Sequence, residues 1–444
     1  MIRKWIVTGA GLLWVALGVG SGAGKLWAAS QAAQDQAKPG YTMPEYNAYK
    51  DADAEPNPQQ KVAKLDAFVK QYNASTLMPY IYRDYYTTYM ALKNFAQVIE
   101  YTDRMIALGD KIDMNGRLEA YYIRAQAFYM GMADKTLQTP DALTKARDAS
   151  LAGLKTVDAL KKPDAATDAQ FDQQKKGVKV LFNSVAALAS TSMKDYAAAA
   201  GYYKAVLSIT PDDAVSHYRL GIVNLLMTPP ASTDGFWELA RAIDLKIPND
   251  AQVRAYLKNQ IIRYQQPSCD KLVDDQMNEL LTLAATAADR PATLNVPSTA
   301  DLQKARDDTA NFIPSLVAGG DAGKTMWLAS CGLEYPDVGV RIMEAPAVDG
   351  DTVTLKVFRG TTPEEIEAAT TSNMIVKIDG QPEAKRLEKD AVVRFTGTLV
   401  AYTQSPFMLT WDKAKINTED LPEEKGPKKA PVRKAPAKKA PATN

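Results

Sequence analysis

The sequence predicts a mainly α-helical protein that ends in a small β domain. From residue 59 to residue 290, apolar side chains recur at three- and four-residue steps, as on the buried face of an amphipathic helix. From residue 338 to residue 421 the pattern changes to short runs of alternating, β-branched or aromatic residues, which are typical of strands. A chain of 444 residues also exceeds one ordinary core, so two or more domains are expected.

The N-terminal segment has the pattern of a secretory signal peptide. Arg3 and Lys4 precede a short apolar run over residues 5–19, and small residues follow. The run is short for a membrane span of about 20 residues, and Lys25 interrupts its weak extension. We therefore predict a signal peptide over residues 1–29, a periplasmic or secreted location, and no integral membrane segment after cleavage.

Breaks in composition divide the rest of the chain. Proline and polar residues predict a linker before the helices, and a proline-rich stretch near residue 291 ends them. The C-terminal segment alternates Lys, Pro and Ala without an apolar face and is predicted to be disordered. The predicted domains are a linker over 30–58, a helical domain over 59–290, a helical connector over 291–337, a β domain over 338–421 and a tail over 422–444.

Prolines, glycines and capping residues delimit the predicted helices. In the helical domain they are 59–72, 77–91, 94–108, 116–130, 141–158, 171–190, 194–209, 213–227, 233–246, 249–264 and 269–288. The connector is predicted to hold two more, over 299–311 and 321–331.

One stretch, residues 194–221, is predicted to form a helix, a turn and the start of a second helix. Small residues at Ala199 and Ala200 share the first helix with Tyr203, and Pro211 ends it. This alternation of small and large side chains allows two antiparallel helices to pack closely.

A second stretch, beginning Lys93-Asn94-Phe95, keeps the register of Lys194-Asp195-Tyr196. The offset between Phe95 and Tyr196 is close to three periods of about 34 residues. The pattern resembles the tetratricopeptide repeat. That resemblance implies an α-solenoid of antiparallel helix pairs with one concave face; a plain irregular helical bundle is the alternative.

The β domain is predicted to contain five strands, over 338–345, 351–359, 374–379, 391–402 and 407–416. The last two resemble the closing hairpin of an OB-like β-barrel. A short helix over 363–369 follows the second strand, which departs from the usual order of that fold.

The formal net charge of the chain is +1, but the charged residues are unevenly distributed along it. Without three basic residues of the signal peptide and seven of the tail, the remainder carries −9. A mildly acidic body makes nucleic acid an unsuitable partner for the folded part. The basic tail is either a solvated appendage or a tether to anionic envelope polymers or nucleic acid.

The chain offers few groups for catalysis. His217 is the only histidine, and we predict that it packs between helices. One histidine and two distant cysteines cannot form a His/Cys metal cluster, so no catalytic residue, metal or cofactor is predicted. Cys269 and Cys331 form either one disulfide or two buried thiols.

The predicted function is that of a non-catalytic exported scaffold. The resemblance implies that a partner protein or peptide binds the concave helical face, with Tyr122, Gln126, Arg219 and Ile222 at groove-facing offsets. A second interpretation is an envelope polymer-, carbohydrate- or nucleic-acid-binding module that acts through the β-barrel and the basic tail. A third is an enzyme that uses carboxylates alone, such as a glycoside hydrolase, although no pair can be nominated.

Overall fold

The computed structural model describes residues 40–164, 166–266, 270–292 and 294–422. The predicted signal peptide and almost all of the basic tail lie outside these residues. The chain divides into two compact units. We call them the helical unit, which comprises the described residues of 1–257 and 278–294, and the sheet unit, which comprises those of 258–277 and 295–444.

Twelve α-helices precede the connector in the described chain. Their bounds are α1 Met43–Asp53, α2 Pro58–Gln71, α3 Met78–Ala91, α4 Phe95–Ile106, α5 Met114–Met130, α6 Pro140–Ala159, α7 Asp168–Ser192, α8 Tyr196–Leu207, α9 Ala214–Leu226, α10 Ser232–Asp244, α11 Asp250–Gln265 and α12 Asp270–Thr286. Helices α2 to α12 follow the predicted set closely, and the architecture is helical and repeat-like.

Helix α1 lies inside the segment predicted to be a linker. Its start is a capping box: Thr42 Oγ1 accepts from the Glu45 amide, and Glu45 Oε2 accepts from the Thr42 amide at 3.0 Å. Two otherwise unpaired amides are thereby satisfied. The Thr-x-x-Glu spacing was present in the sequence and would have predicted this helix.

The turns before α4 and α8 share one backbone geometry. Lys93 has φ 56° and Lys194 has φ 65°, the left-handed region that bulky residues rarely adopt. The next amide, of Asn94 or Asp195, bonds the carbonyl five residues earlier at 2.9 Å in both turns. The Asn94 and Asp195 side chains then cap the following helix. The two segments aligned by sequence therefore turn in the same way.

Close contacts between consecutive helices use glycine and alanine. Gly221 of α9 faces Gly235 of α10, where a Cβ on Gly221 would lie 3.0 Å from the Gly235 carbonyl oxygen. Ala199 of α8 is fully buried. Small side chains at these points bring the helix backbones close to their neighbours.

We expect Ala199→Leu to destabilise the helical unit by about 1–3 kcal/mol, because three extra carbons must enter a filled core. Ala198, which is half-buried, should tolerate leucine better, and the exposed Ala197 should tolerate it best. Urea denaturation of the three variants checks this order. Equal midpoints for Ala199→Leu and Ala197→Leu would contradict the assigned face.

The sheet unit contains the remaining helices and six strands in the described chain. They are α13 Thr299–Asp307, α14 Phe312–Ala318, α15 Gly320–Ser330, β1 Glu334–Ile342, β2 Ala347–Asp349, β3 Thr352–Phe358, α16 Pro363–Ala368, β4 Met374–Asp379, β5 Val392–Gln404 and β6 Phe407–Ile416. Five of the strands match the predicted ones, and the short β2 and the helix α14 were not predicted.

The six strands form one sheet in the order β1-β5-β6-β4-β3-β2. β1 also pairs with β3, so the pairings join five strands in a ring. β4 and β6 are parallel, and the other pairs are antiparallel. Side chains from alternate positions, among them Trp411, Phe395 and Leu355, fill one core.

Within the described ranges, no helix combines the length and apolarity needed to cross a bilayer.

Candidate partner-binding surface

Two of the predicted site residues lie on α5. Tyr122 and Gln126 are half-buried and one helical turn apart, and Tyr129 continues the same face three residues later. The opposite side of α5 is buried through Ala120, Arg124 and Ala127. Packing on that side therefore fixes the direction in which Tyr122, Gln126 and Tyr129 point.

The other two predicted residues, Arg219 and Ile222, lie on α9 and are also half-buried. Arg219 Cζ lies 6.0 Å from the centroid of the Tyr129 ring, within cation–π range. Across the described residues, no carboxylate oxygen lies within the 4.0 Å ion-pair distance of the Arg219 guanidinium. Its positive charge lies beside Tyr129, and Asp213 acts on it electrostatically from beyond that distance.

The polar groups of Tyr122 and Gln126 have no hydrogen-bond partner in the described part of the chain. Burial raises the pKa of the Tyr122 phenol. The hydroxyl therefore stays protonated and able to donate at neutral pH. These two side chains can form hydrogen bonds to a ligand without breaking internal ones.

Of the four predicted site residues, only Arg219 makes a contact that links α5 to α9 within the described ranges. Tyr129 and Arg219 join α5 to α9, whereas no hydrogen bond, ion pair or ring contact in the described chain links Tyr122, Gln126 and Ile222 to one another. Tyr129 was not among the groove-facing residues predicted from the sequence. Its seven-residue offset from Tyr122 was the available signal.

Tyrosines of helix α3 pack in the core of the helical unit. Tyr85 and Tyr86 are buried, and their hydroxyls donate to Asp66 at 2.5 Å and to Glu119 at 3.0 Å. The Tyr85 ring stacks on Tyr101 of α4 at 3.9 Å between centroids. Tyr85 and Tyr86 therefore belong to the core, whereas Tyr80 is 39% exposed.

His217 is buried and links α9 to α10, as predicted for a packing histidine. Its Nδ1 lies 2.5 Å from Glu238 Oε2, and its Nε2 lies 2.8 Å from the Pro211 carbonyl oxygen. Both ring nitrogens are therefore engaged by neighbouring groups. The arrangement acts as a brace between two helices.

The proposed disulfide stays a prediction. Cys331 is buried at the C-terminal cap of α15. Cys269 lies outside the described residues.

Cations on the sheet are largely neutralised by neighbouring carboxylates. Lys356 pairs with Glu344 at 2.8 Å, and Lys377 pairs with Asp412 at 3.7 Å. Arg394 reaches Asp420 at 3.1 Å. Paired cations contribute little to the attraction of a polyanion, so these lysines do not form a basic face.

No group of three or more His, Cys, Asp or Glu side chains in the described ranges is placed to hold a metal ion. The chain matches no protein-family model and no curated protein.

Proposed function

We propose that the protein is an exported, non-catalytic scaffold of tetratricopeptide type that binds a segment of a partner protein on the concave face of its helical repeats. The contact between Tyr129 and Arg219 carries this proposal. It joins α5 and α9 and holds a positive charge without a carboxylate partner within 4.0 Å in the described chain. Tyrosine and arginine are the residue types that most often dominate binding energy at protein interfaces.

The matching turns at Lys93 and Lys194 support the repeat interpretation. A left-handed residue followed by an amide bonded five residues back is a common way for a helix to end, and Lys246 with Ile247 repeats it before α11, so the turn supports the repeat only together with the sequence match of the two segments. Consecutive repeat helices would place the faces of α5 and α9 in one groove.

The chemistry of the surface favours one kind of partner segment. Arg219 offers a charge, Tyr122 a hydroxyl and Gln126 an amide, while Ile222 offers an apolar contact. A segment that carries a carboxylate or several acceptor groups beside an apolar side chain would satisfy all four.

We propose further that the ring of five strands is an OB-like barrel. Its support is the ring order β1-β3-β4-β6-β5, with one parallel pair between β4 and β6. A polymer-binding function through this domain and the basic tail is the second candidate. The seven basic residues of the tail favour it, whereas the ion pairs of Lys356 and Lys377 do not.

Pull-down from envelope extracts of the native host tests the groove. We expect Tyr122→Ala and Ile222→Ala each to reduce capture of a partner at least tenfold, which corresponds to about 1.4 kcal/mol. Arg219→Met should do the same, because it removes the guanidinium beside Tyr129 and keeps an unbranched side chain. Lys155→Ala, an exposed change on α6, is the matched control and should leave capture unchanged.

Circular dichroism and melting points must match the unmodified protein for each variant. Deletion of residues 423–444 separates the two candidate functions. Binding through the basic tail would in addition weaken steeply as the salt concentration rises. If this deletion abolishes capture while the groove variants retain it, the scaffold proposal is wrong.

A further inference from the structure

A cavity of about 270 Å³ lies among helices α4, α5 and α6, and neither Tyr129 nor Arg219 is among its lining residues. Its walls combine apolar and charged side chains. The lining residues are Ala96, Ile99, Glu100, Asp103, Arg124, Phe128, Leu137, Asp141, Ala142 and Lys145.

Arg124 is the most deeply placed charge of this cavity, with 3% of the side chain exposed. Its Nε donates to Asp103 Oδ1 at 2.5 Å and its Nη2 to Asp103 Oδ2 at 3.3 Å. Nη1 has no partner among the described residues, and it is not sealed from solvent. Because Arg124 lines the cavity, we infer that this nitrogen is the donor that a ligand would meet there.

The mouth of the cavity carries a second donor. Lys145 Nζ lies 2.8 Å from Asp141, and both side chains are more than half exposed. The pair leaves two ammonium hydrogens of Lys145 without a partner. Two cationic donors thus border one space, one deep and one at the rim.

Three carboxylates border the same space. Glu100 is held by Arg104 at 2.6 Å, and Asp103 is 43% exposed despite its bond to Arg124. With Asp141 and Lys145, the three carboxylates and their three basic partners balance in charge. A ligand that carries both a carboxylate and an ammonium group matches such mixed surroundings better than a simple anion or cation does.

The remaining wall is apolar. Phe128 and Leu137 are buried, and Ile99 packs beside them. A short aliphatic side chain placed there would lose water on several sides. The volume lies just below the range of about 300–1,000 Å³ typical of sites for larger small molecules.

We propose that this cavity binds a small zwitterion, an α-amino acid with an aliphatic side chain of about the size of leucine. Its carboxylate accepts hydrogen bonds from Arg124 Nη1 and Lys145 Nζ. Its ammonium group donates to the exposed carboxylates, and its side chain contacts Ile99, Phe128 and Leu137. This site is independent of the proposed partner-binding surface.

Isothermal titration calorimetry on the full chain tests the assignment with three probes. These are L-leucine, 4-methylpentanoate, which lacks the ammonium group, and 3-methylbutylamine, which lacks the carboxylate. We expect L-leucine to bind at least tenfold more tightly than either analogue. Binding of the carboxylate probe as tight as that of leucine would overturn the zwitterion assignment.

Two variants place the binding in this cavity. Ala142→Leu fills the space, since Ala142 is half-buried in the wall, and should abolish the heat of leucine binding. Lys145→Met removes the rim donor and should weaken leucine at least fivefold. Lys155→Met, on the exposed part of the same helix and outside the lining, should bind leucine like the unmodified protein.

The Lys145→Met result decides the matter if Ala142→Leu fails to fold. The absence of both binding heat and a shift in melting temperature with millimolar leucine would overturn the proposal. So would unchanged leucine affinity in Lys145→Met.

Discussion

Replacing Gly153 by alanine should destabilise the helical unit, whereas the same replacement at Gly177 should stabilise it. Gly153 lies on α6 under the fully buried ring of Phe182 from α7. A Cβ at this position would lie 2.5 Å from Phe182 Cζ and 2.8 Å from both Cε atoms. Such atoms cannot approach that closely, so the ring must move within a filled core.

The expected cost of Gly153→Ala is about 1–2 kcal/mol, because overpacking outweighs the gain of up to about 1 kcal/mol in helix propensity. Gly153→Leu should cost about 3 kcal/mol. Gly177 is exposed in the middle of α7, and a Cβ there would have no neighbouring atom within 4 Å. At that position only the gain in helix propensity acts, so Gly177→Ala should raise the free energy of unfolding by about 0.5–1 kcal/mol.

Chemical denaturation followed by circular dichroism measures both effects on the same protein. Gly177→Ala is the matched control, since it makes the same chemical change on the adjacent helix. A stabilised Gly153→Ala protein would show that α6 and α7 are not packed through this ring.

The two halves of the Arg124–Asp103 ion pair should differ in their effect on stability. The Arg124 side chain is 3% exposed and the Asp103 side chain 43%. Asp103→Ala leaves a buried guanidinium without its counter-charge, and we expect a loss of about 3 kcal/mol. Arg124→Met leaves a carboxylate that water can reach and keeps much of the buried volume, so a loss of about 1 kcal/mol is expected.

Asp141→Ala provides the control for a carboxylate of this region. Its pair with Lys145 is exposed on both sides, and such pairs contribute between about 0 and 1 kcal/mol. Urea midpoints for the three variants at low and moderate salt check the order. Equal losses for Asp103→Ala and Asp141→Ala would contradict a desolvated Arg124.

The sequence by itself determined most of the secondary structure. Pro140 opens α6 and Asp213 caps α9, and local signals of this kind act within a few residues of one another. Strand alternation determined β3 to β6 in the same way, because it depends only on which face is buried. The start of α1 is equally local, since the capping box of Thr42 and Glu45 spans only four residues.

The sequence alone also showed that Lys93 and Lys194 occupy the same position in two similar segments. The residues that fill a turn of this kind recur when the turn recurs. The shared backbone geometry, however, depends on φ values that lysine does not favour. Only the folded backbone shows that both lysines adopt them.

Tertiary structure alone decided which side chains meet. Nothing in the spacing of Tyr129 and Arg219 places a guanidinium over that ring, because the contact spans two helices that are distant in sequence. Likewise the periodicity of α5 puts Arg124 on a buried face, but only α4 supplies the carboxylate that permits a charge there. Periodic patterns report burial, whereas the pairing of charges and rings depends on how separate helices pack against each other.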